Sequence, residues 1–136
     1  PIISEAIAAE AQTPLEAFQT AAVFAGESRL AESVHNGSKR GDGGRSVCLG
    51  QIHKRARITV HPHSSLAATD LAATRRCAAA TLEILRRWNC STLEGKFNGY
   101  GTGKSCRPYR KFAKKRARRV RRAIYLWRAG GNQLVR

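Results

Sequence analysis

The stretch Thr13-Pro14-Leu15-Glu16-Ala17-Phe18-Gln19-Thr20-Ala21-Ala22-Val23-Phe24-Ala25-Gly26-Glu27-Ser28 decides how this chain is read. Its first four residues form a capping box, with proline at the first helical position. Leu15, Phe18, Ala22, Val23 and Ala25 follow at helical spacing, so the stretch predicts a helix reaching Glu27 or a little beyond. A carboxylate then stands at the end of an otherwise apolar helix. On open surface such a group is an ordinary charge. Held at a cleft floor and partly out of water, a carboxyl group can stay protonated near neutral pH and act as a general acid.

Working outward, Ser4 is placed to cap a first short helix running to Gln12. Beyond Ser28, Asn36-Gly37-Ser38 and Gly41-Asp42-Gly43-Gly44 are turn chemistry, with glycine and asparagine supplying positive φ. Ser46–His53 reads as an extended piece or a helix start, and 54–65 as a basic, proline-containing surface loop. A long helix follows, capped by Thr69 or Ser65, with Asp70 in its first turn and an apolar line of Leu71, Ala78, Leu82, Leu85 and Trp88. Arg86 and Arg87 sit at its C-terminal end, where cations are favoured. Asn89–Thr92 is a turn, Leu93–Asn98 a short helix and Gly99–Ser105 a glycine-rich loop. Pro108 opens a final helix that stops before Gly130-Gly131, with Tyr109, Phe112, Ala113, Ala117, Val120, Ile124 and Trp127 on its apolar face. With no internal repeat and no run of strands, the expected fold is mostly α, with little or no β-structure.

The 136 residues suit one domain with one core. With no methionine in the chain, Pro1 is not expected to be a translation start, and the chain reads as processed or as a piece of something longer. No stretch approaches the roughly 20 consecutive apolar residues of a membrane helix, and no charged-then-apolar leader opens it. The charge is lopsided. The first 94 residues hold all 9 acids and 11 of the 25 basic side chains; the last 42 hold the other 14 and no acid. A field of that strength concerns partners and encounter rate rather than fold. Its candidates are nucleic acid, an anionic membrane surface, or the acidic polymers of a bacterial envelope. The four cysteines, Cys48, Cys77, Cys90 and Cys106, permit two disulfides in any of three connectivities, and Cys90 and Cys106 bracket the 97–103 segment. None of the spacings is CxxC, which argues against a zinc knuckle.

Three segments occur in succession: Glu27-Ser28-Arg29-Leu30, then Cys48-Leu49-Gly50-Gln51-Ile52 after a glycine-rich loop, then Phe97-Asn98-Gly99-Tyr100-Gly101 after an intervening helix. Their order and spacing resemble the lytic-transglycosylase (SLT-type) family, which shares the lysozyme fold with goose-type lysozymes. There a Glu-Ser pair ends a helix, a Gly-Leu-Met-Gln-Ile-like segment follows, and an Ala-Tyr-Asn-Ala-Gly-like segment comes after another helix. The resemblance spans roughly Leu15 to Tyr109. Cys48 stands where the family often has glycine, Gly50 where it has methionine, and Phe97 where it has tyrosine.

The resemblance implies a single lysozyme-like domain over 1–136 with a substrate cleft, closed by the loops 41–44 and 99–103. It implies a peptidoglycan-degrading glycosidase that cuts the β-1,4 bond between N-acetylmuramic acid and N-acetylglucosamine. Glu27 would be the acid/base catalyst, Ser28 would buttress it or bond substrate, and Gln51 would hydrogen-bond the sugar. Asn98 would help shape the cleft, with Gln51 and Asn98 on opposite walls; Tyr100 or Tyr109 would take the tyrosine position near the catalytic glutamate. A hydrolase normally needs a second carboxylate about 5–10 Å from the first. Among Glu32, Asp42 and Asp70, Asp42 is the best placed, in its glycine-rich loop; the plainer role for it is an Asx turn. Without a second carboxylate, Glu27 alone can protonate the glycosidic oxygen and then deprotonate the muramic 6-hydroxyl, giving an anhydro product. No metal or organic cofactor is expected. The implied setting is the bacterial cell wall or periplasm, reached by export or carried by a phage as an endolysin, and the domain is expected to be monomeric. Arg110, Lys111, Lys114, Lys115, Arg118, Arg119, Arg121 and Arg122 would face anionic envelope polymers, with nucleic acid not the main partner.

Other patterns weigh less. Gly103-Lys104-Ser105 has the end of a phosphate-binding loop, but Asn98 occupies the place of its required glycine and no strand precedes it. His61 and His63, with His35 and His53, lack metal-ligand spacing. Asn36-Gly37-Ser38 and Asn89-Cys90-Ser91 match the glycosylation pattern by chance as readily as by design. The rival reading is a basic module in which the helix 107–128 binds nucleic acid or an anionic membrane; it leaves the three-segment succession unexplained.

Overall fold

A computed structural model of the chain describes residues 1–130. It is mostly helical: α1 (Ile2–Glu10), α2 (Pro14–Ser28), the one-turn α3 (Glu32–His35), α4 (Leu71–Arg87), α5 (Leu93–Thr102) and α6 (Lys111–Ala129), with one two-stranded antiparallel ribbon, β1 (Ser46–Val47) and β2 (Ile52–His53). The ribbon forms the two ends of the segment 46–53 and puts Ser46 opposite His53 and Val47 opposite Ile52. Short 3-10 turns cover Asp42–Gly44 and His63–Ser65.

The helix starts follow local chemistry. Thr13 accepts from the Glu16 N–H at 3.1 Å, and the Glu16 carboxylate reaches back to the Gln12 N–H, one residue ahead of the cap, at 3.0 Å; the two bonds brace the head of α2. Three expectations shift. The first helix begins at Ile2, so Ser4 lies inside it and donates to the Pro1 carbonyl. The cap of α4 is Asp70 itself, which accepts from the Ala73 N–H at 2.9 Å, in place of Thr69 or Ser65. Helix α6 begins at Lys111, with Pro108 and Tyr109 in the connection before it, and ends ahead of Gly130; Gly131 lies outside the described residues.

The largest departure is α5, which runs on through Gly99-Tyr100-Gly101 where a loop is expected. Packing explains it. A Cβ on Gly99 would lie 2.3 Å from the Trp88 indole, and one on Gly101 would lie 2.4 Å from the Phe112 ring. The glycines let two aromatic rings press onto the helix, and that burial outweighs their poor helix propensity of about 1 kcal/mol each. Only Gly103, at φ 65°, serves as the left-handed stop.

The core has two parts. One joins Phe24 to Leu49, Ile52, Leu66, Ala78 and Ile84; the other joins Val23 to Leu85, Phe97, Ala117 and Val120. Tyr100 packs against both. Two disulfides brace the ends of this arrangement, Cys48–Cys77 from the ribbon to α4 and Cys90–Cys106 across α5. Lys96 closes the C-terminal end of α4 by donating to the carbonyls of Leu85 and Trp88, and burial holds its ammonium below the ordinary lysine range.

Candidate active site

A groove of about 1100 Å³ runs between the ribbon side and α5. Glu27 from α2 lines it together with Gly41, Asp42, Gln51, Trp88 and Tyr100. Three segments far apart in sequence thus meet at one surface.

Glu27 sits in the last turn of α2, with its side chain 24% exposed. The Arg116 guanidinium donates from Nη1 to Glu27 Oε1 at 2.9 Å, and the Arg116 side chain is only 8% exposed. The guanidinium also stands 4.8 Å from the centre of the Phe112 ring, a cation–π arrangement. It reaches Glu27 across Gly26, where a Cβ would lie 2.5 Å from Arg116 Nε. Any side chain at that position would push the guanidinium off the carboxylate. Glu27 is therefore both partly buried and ion-paired, where the sequence predicts partial burial alone. Arg116 was also missing from the expected cationic face of α6. A signal for it existed: Phe112, Arg116, Val120 and Ile124 fall at steps of four, so helical spacing sets one arginine within the apolar stripe.

Gln51 ends the connection Cys48-Leu49-Gly50-Gln51 between β1 and β2. Cys48 and Gln51 both have left-handed backbones, at φ 60° and 48°. Such conformations cost a non-glycine residue about 1–2 kcal/mol each. They are held by the Cys48–Cys77 disulfide, by Leu49 at zero exposure, and by two bonds onto the Cys48 carbonyl from the Gln51 N–H and Nε2, each at 3.0 Å. The strain aims the Gln51 side chain along the groove wall. Tyr100 ties the opposite wall to this turn, donating from its hydroxyl to the Gly50 carbonyl at 2.8 Å. Burial pushes the phenol well above its ordinary range, so it stays a neutral donor.

Asp42 lines the groove from the turn 42–44; it is exposed, has φ 52°, and its Oδ2 accepts from the Ser46 hydroxyl at 2.5 Å. It acts as a turn residue and presents a carboxylate to the groove. The remaining expected residues are not in the groove lining. Ser28 is buried, donating to the Phe24 carbonyl at 2.6 Å and accepting from the Leu30 N–H, so it locks the end of α2. Asn98 is buried with its amide fully used: Nδ2 donates to the Ser105 carbonyl and Oδ1 accepts from the Arg110 N–H, each at 2.9 Å. It shapes the wall from behind by fixing the 103–110 connection and does not face Gln51 across the groove. The Tyr109 hydroxyl pairs with Thr92 at 2.6 Å, which leaves Tyr100 as the tyrosine beside the groove.

Arg45, Arg55, Arg57 and Arg87 also line the groove; the sequence marks only Arg87, and as a helix-end cation, not as a groove residue. Among the described residues no group of three or more His, Cys, Asp or Glu is arranged to hold a metal, and no helix is long and apolar enough to cross a membrane. In comparison with known proteins, no family model matches the chain, and neither a curated protein nor a solved structure matches it significantly.

Proposed function

We propose that this chain is a cell-wall glycosidase, a lytic transglycosylase or lysozyme, that cleaves the β-1,4 bond between N-acetylmuramic acid and N-acetylglucosamine with Glu27 as general acid/base. The observation that carries the reading is convergence: Glu27, Gln51 and Tyr100, each from a different segment of the succession, line a single groove. The groove volume is at the upper end of those that hold small molecules, which suits a length of polymer.

In the first step the Glu27 carboxyl gives its proton to the glycosidic oxygen as the C1–O bond breaks, and positive charge develops at the ring. In the second step the Glu27 carboxylate removes a proton from the incoming hydroxyl. If that hydroxyl is the 6-OH of the same muramic residue, a 1,6-anhydro sugar forms. If it is water, with Asp42 on the far side of the ring, a reducing end forms. The Arg116 bond fixes the carboxylate at the groove floor in both cases. The substrate is the peptidoglycan of a bacterial wall, and the protein reaches it as an exported or phage-borne bacteriolytic domain. The exposed cations from Arg110, just ahead of α6, to Arg122, without Arg116 and Arg121, support attraction to anionic envelope polymers; Arg121 is paired with Glu94.

The test is clearing of a purified wall suspension. Glu27→Gln is expected to abolish it while the far-ultraviolet spectrum and melting stay wild-type-like, and clearing at the wild-type rate would sink the assignment. Mass spectrometry of the released muropeptides separates anhydro from reducing ends. The rival reading, a nucleic-acid or membrane module working through α6, predicts retention of DNA or anionic vesicles at physiological salt with no wall clearing.

A further inference from the structure

Resting on the glycan reading, we propose that Arg45, Arg55, Arg57 and Arg87 form a subsite for the free carboxylates of the short peptides that a wall glycan carries. Four guanidiniums line this groove against two carboxylates, and one of those, Glu27, is already matched by Arg116. Asp42 is engaged by the Ser46 hydroxyl. Among the described residues Arg45, Arg55 and Arg57 make no ion pair, and Arg87 meets Glu83 at 3.8 Å while also donating to the Arg57 carbonyl. The groove therefore has a surplus of positive charge concentrated around the ribbon and the loop that follows it.

The sugar rings of the glycan are neutral; on a peptide-bearing strand, where the muramic lactyl groups are amide-linked, the carboxylates that can balance that surplus are those of the peptides. An anionic ligand in the groove would balance the surplus. Guanidinium is the group that meets carboxylate in paired hydrogen bonds, and exposed side chains of this kind remain free to adjust to it. Arg45, Arg55 and Arg57 stand on the chain segment that carries Gln51, and Arg87 adjoins Trp88 in sequence, so they suit a substituent beside the reacting bond. Phosphodiester chains attached to walls offer similar oxyanions and form the competing source.

The experiment measures binding in the Glu27→Gln protein, so that ligand is not consumed, while cleavage by wild type is scored separately. Four glycan fragments of equal length are used: one with native peptides, one with the peptide carboxylates amidated, one stripped of peptide with the exposed muramic lactyl carboxylates amidated, and one prepared like the third but carrying a phosphodiester chain. The native fragment is expected to bind about tenfold more tightly than the amidated or stripped ones, the yield of two or three exposed charge pairs. The margin should shrink as salt rises. Adding Arg55→Gln and Arg57→Gln together should bring the ratio near unity; both positions are exposed, and a melting curve checks that the variant is folded. Equal binding of native and amidated fragments, survival of the ratio in the double arginine variant, or tighter binding of the phosphodiester fragment overturns the subsite. Failure of wild type to cleave any fragment overturns the glycosidase reading instead, and the binding ratio still decides the subsite.

Discussion

Arg116 is buried beneath Glu27, and its Nη1 lies 2.9 Å from Oε1 of a carboxylate that opens onto the groove. The ion pair is thus asymmetric. The cation is fixed by Phe112 and by the clearance over Gly26, and the acid takes its position from the cation. Substitutions at the two ends should differ. Arg116→Met leaves a carboxylate that water can reach from the groove, and is expected to cost about 1–3 kcal/mol, the worth of a charged hydrogen bond. Glu27→Leu strands a buried guanidinium and is expected to cost about 3–5 kcal/mol, whereas Glu27→Gln keeps an acceptor and costs far less. Denaturant midpoints of the three variants give the order directly, and a Glu27→Leu protein as stable as Glu27→Gln contradicts it.

The turn that carries Gln51 is locked to α4 and α5 through Gly50. A Cβ there would lie 2.3 Å from Thr81 Oγ1 and 3.1 Å from the Tyr100 hydroxyl. Gly50→Ala should destabilise by about 1–3 kcal/mol through overpacking. Thr81→Ala in the same chain should return about half of that, because adjoining substitutions are not additive. Full additivity in melting experiments would argue that the turn moves freely.

Each disulfide closes a loop of different length, 29 residues for Cys48–Cys77 and 16 for Cys90–Cys106. Replacing either pair by alanine should cost about 2–4 kcal/mol, somewhat more for the longer loop. The functional effects should separate further than the stabilities. Loss of Cys48–Cys77 frees the strained segment behind Gln51 and, on the proposed function, should slow wall clearing. Loss of Cys90–Cys106 acts behind α5 and should slow it less. Clearing rates at a temperature where both variants are folded make the comparison.

Acid should weaken the contact between α2 and α4. The Arg86 guanidinium, donating to Glu16 at 2.7 Å and 3.0 Å, holds that carboxyl below its ordinary value of 4.5 against a smaller opposing effect of burial. A depressed folded value means the stabilisation is present above the unfolded pKa and disappears as pH falls through the folded one. Wild type and Arg86→Gln should therefore differ in melting temperature near neutral pH and converge in acid, as the pH falls through the lowered Glu16 value. A gap that persists into strong acid assigns the effect of Arg86 to packing alone.

Signals confined to a few consecutive residues were legible. The Thr13 cap with proline at the first helical position needs only backbone and side-chain atoms one turn apart, and it is present; the Glu16 carboxylate turns back to Gln12, one residue before the cap. The apolar stripe of α6, with Ala113, Ala117 and Val120 buried, follows from helical period alone. Where a choice depended on what lay opposite, reading failed. Gly99 and Gly101 look like a loop until Trp88 and Phe112 are seen against them. Asn98 looks like a groove residue until Ser105 and Arg110 take both ends of its amide.

The amino-acid order by itself determined that the chain is mostly helical, the Thr13 cap of α2, and the concentration of positive charge in the last third. Those depend on period, on local hydrogen bonds and on composition. Only the tertiary structure decided that Glu27 has Arg116 as its partner, 89 residues away, that the cysteines pair 48 with 77 and 90 with 106, and that four arginines share the groove. Contacts across such distances come from the way helices pack. No window of sequence contains both members of the pair.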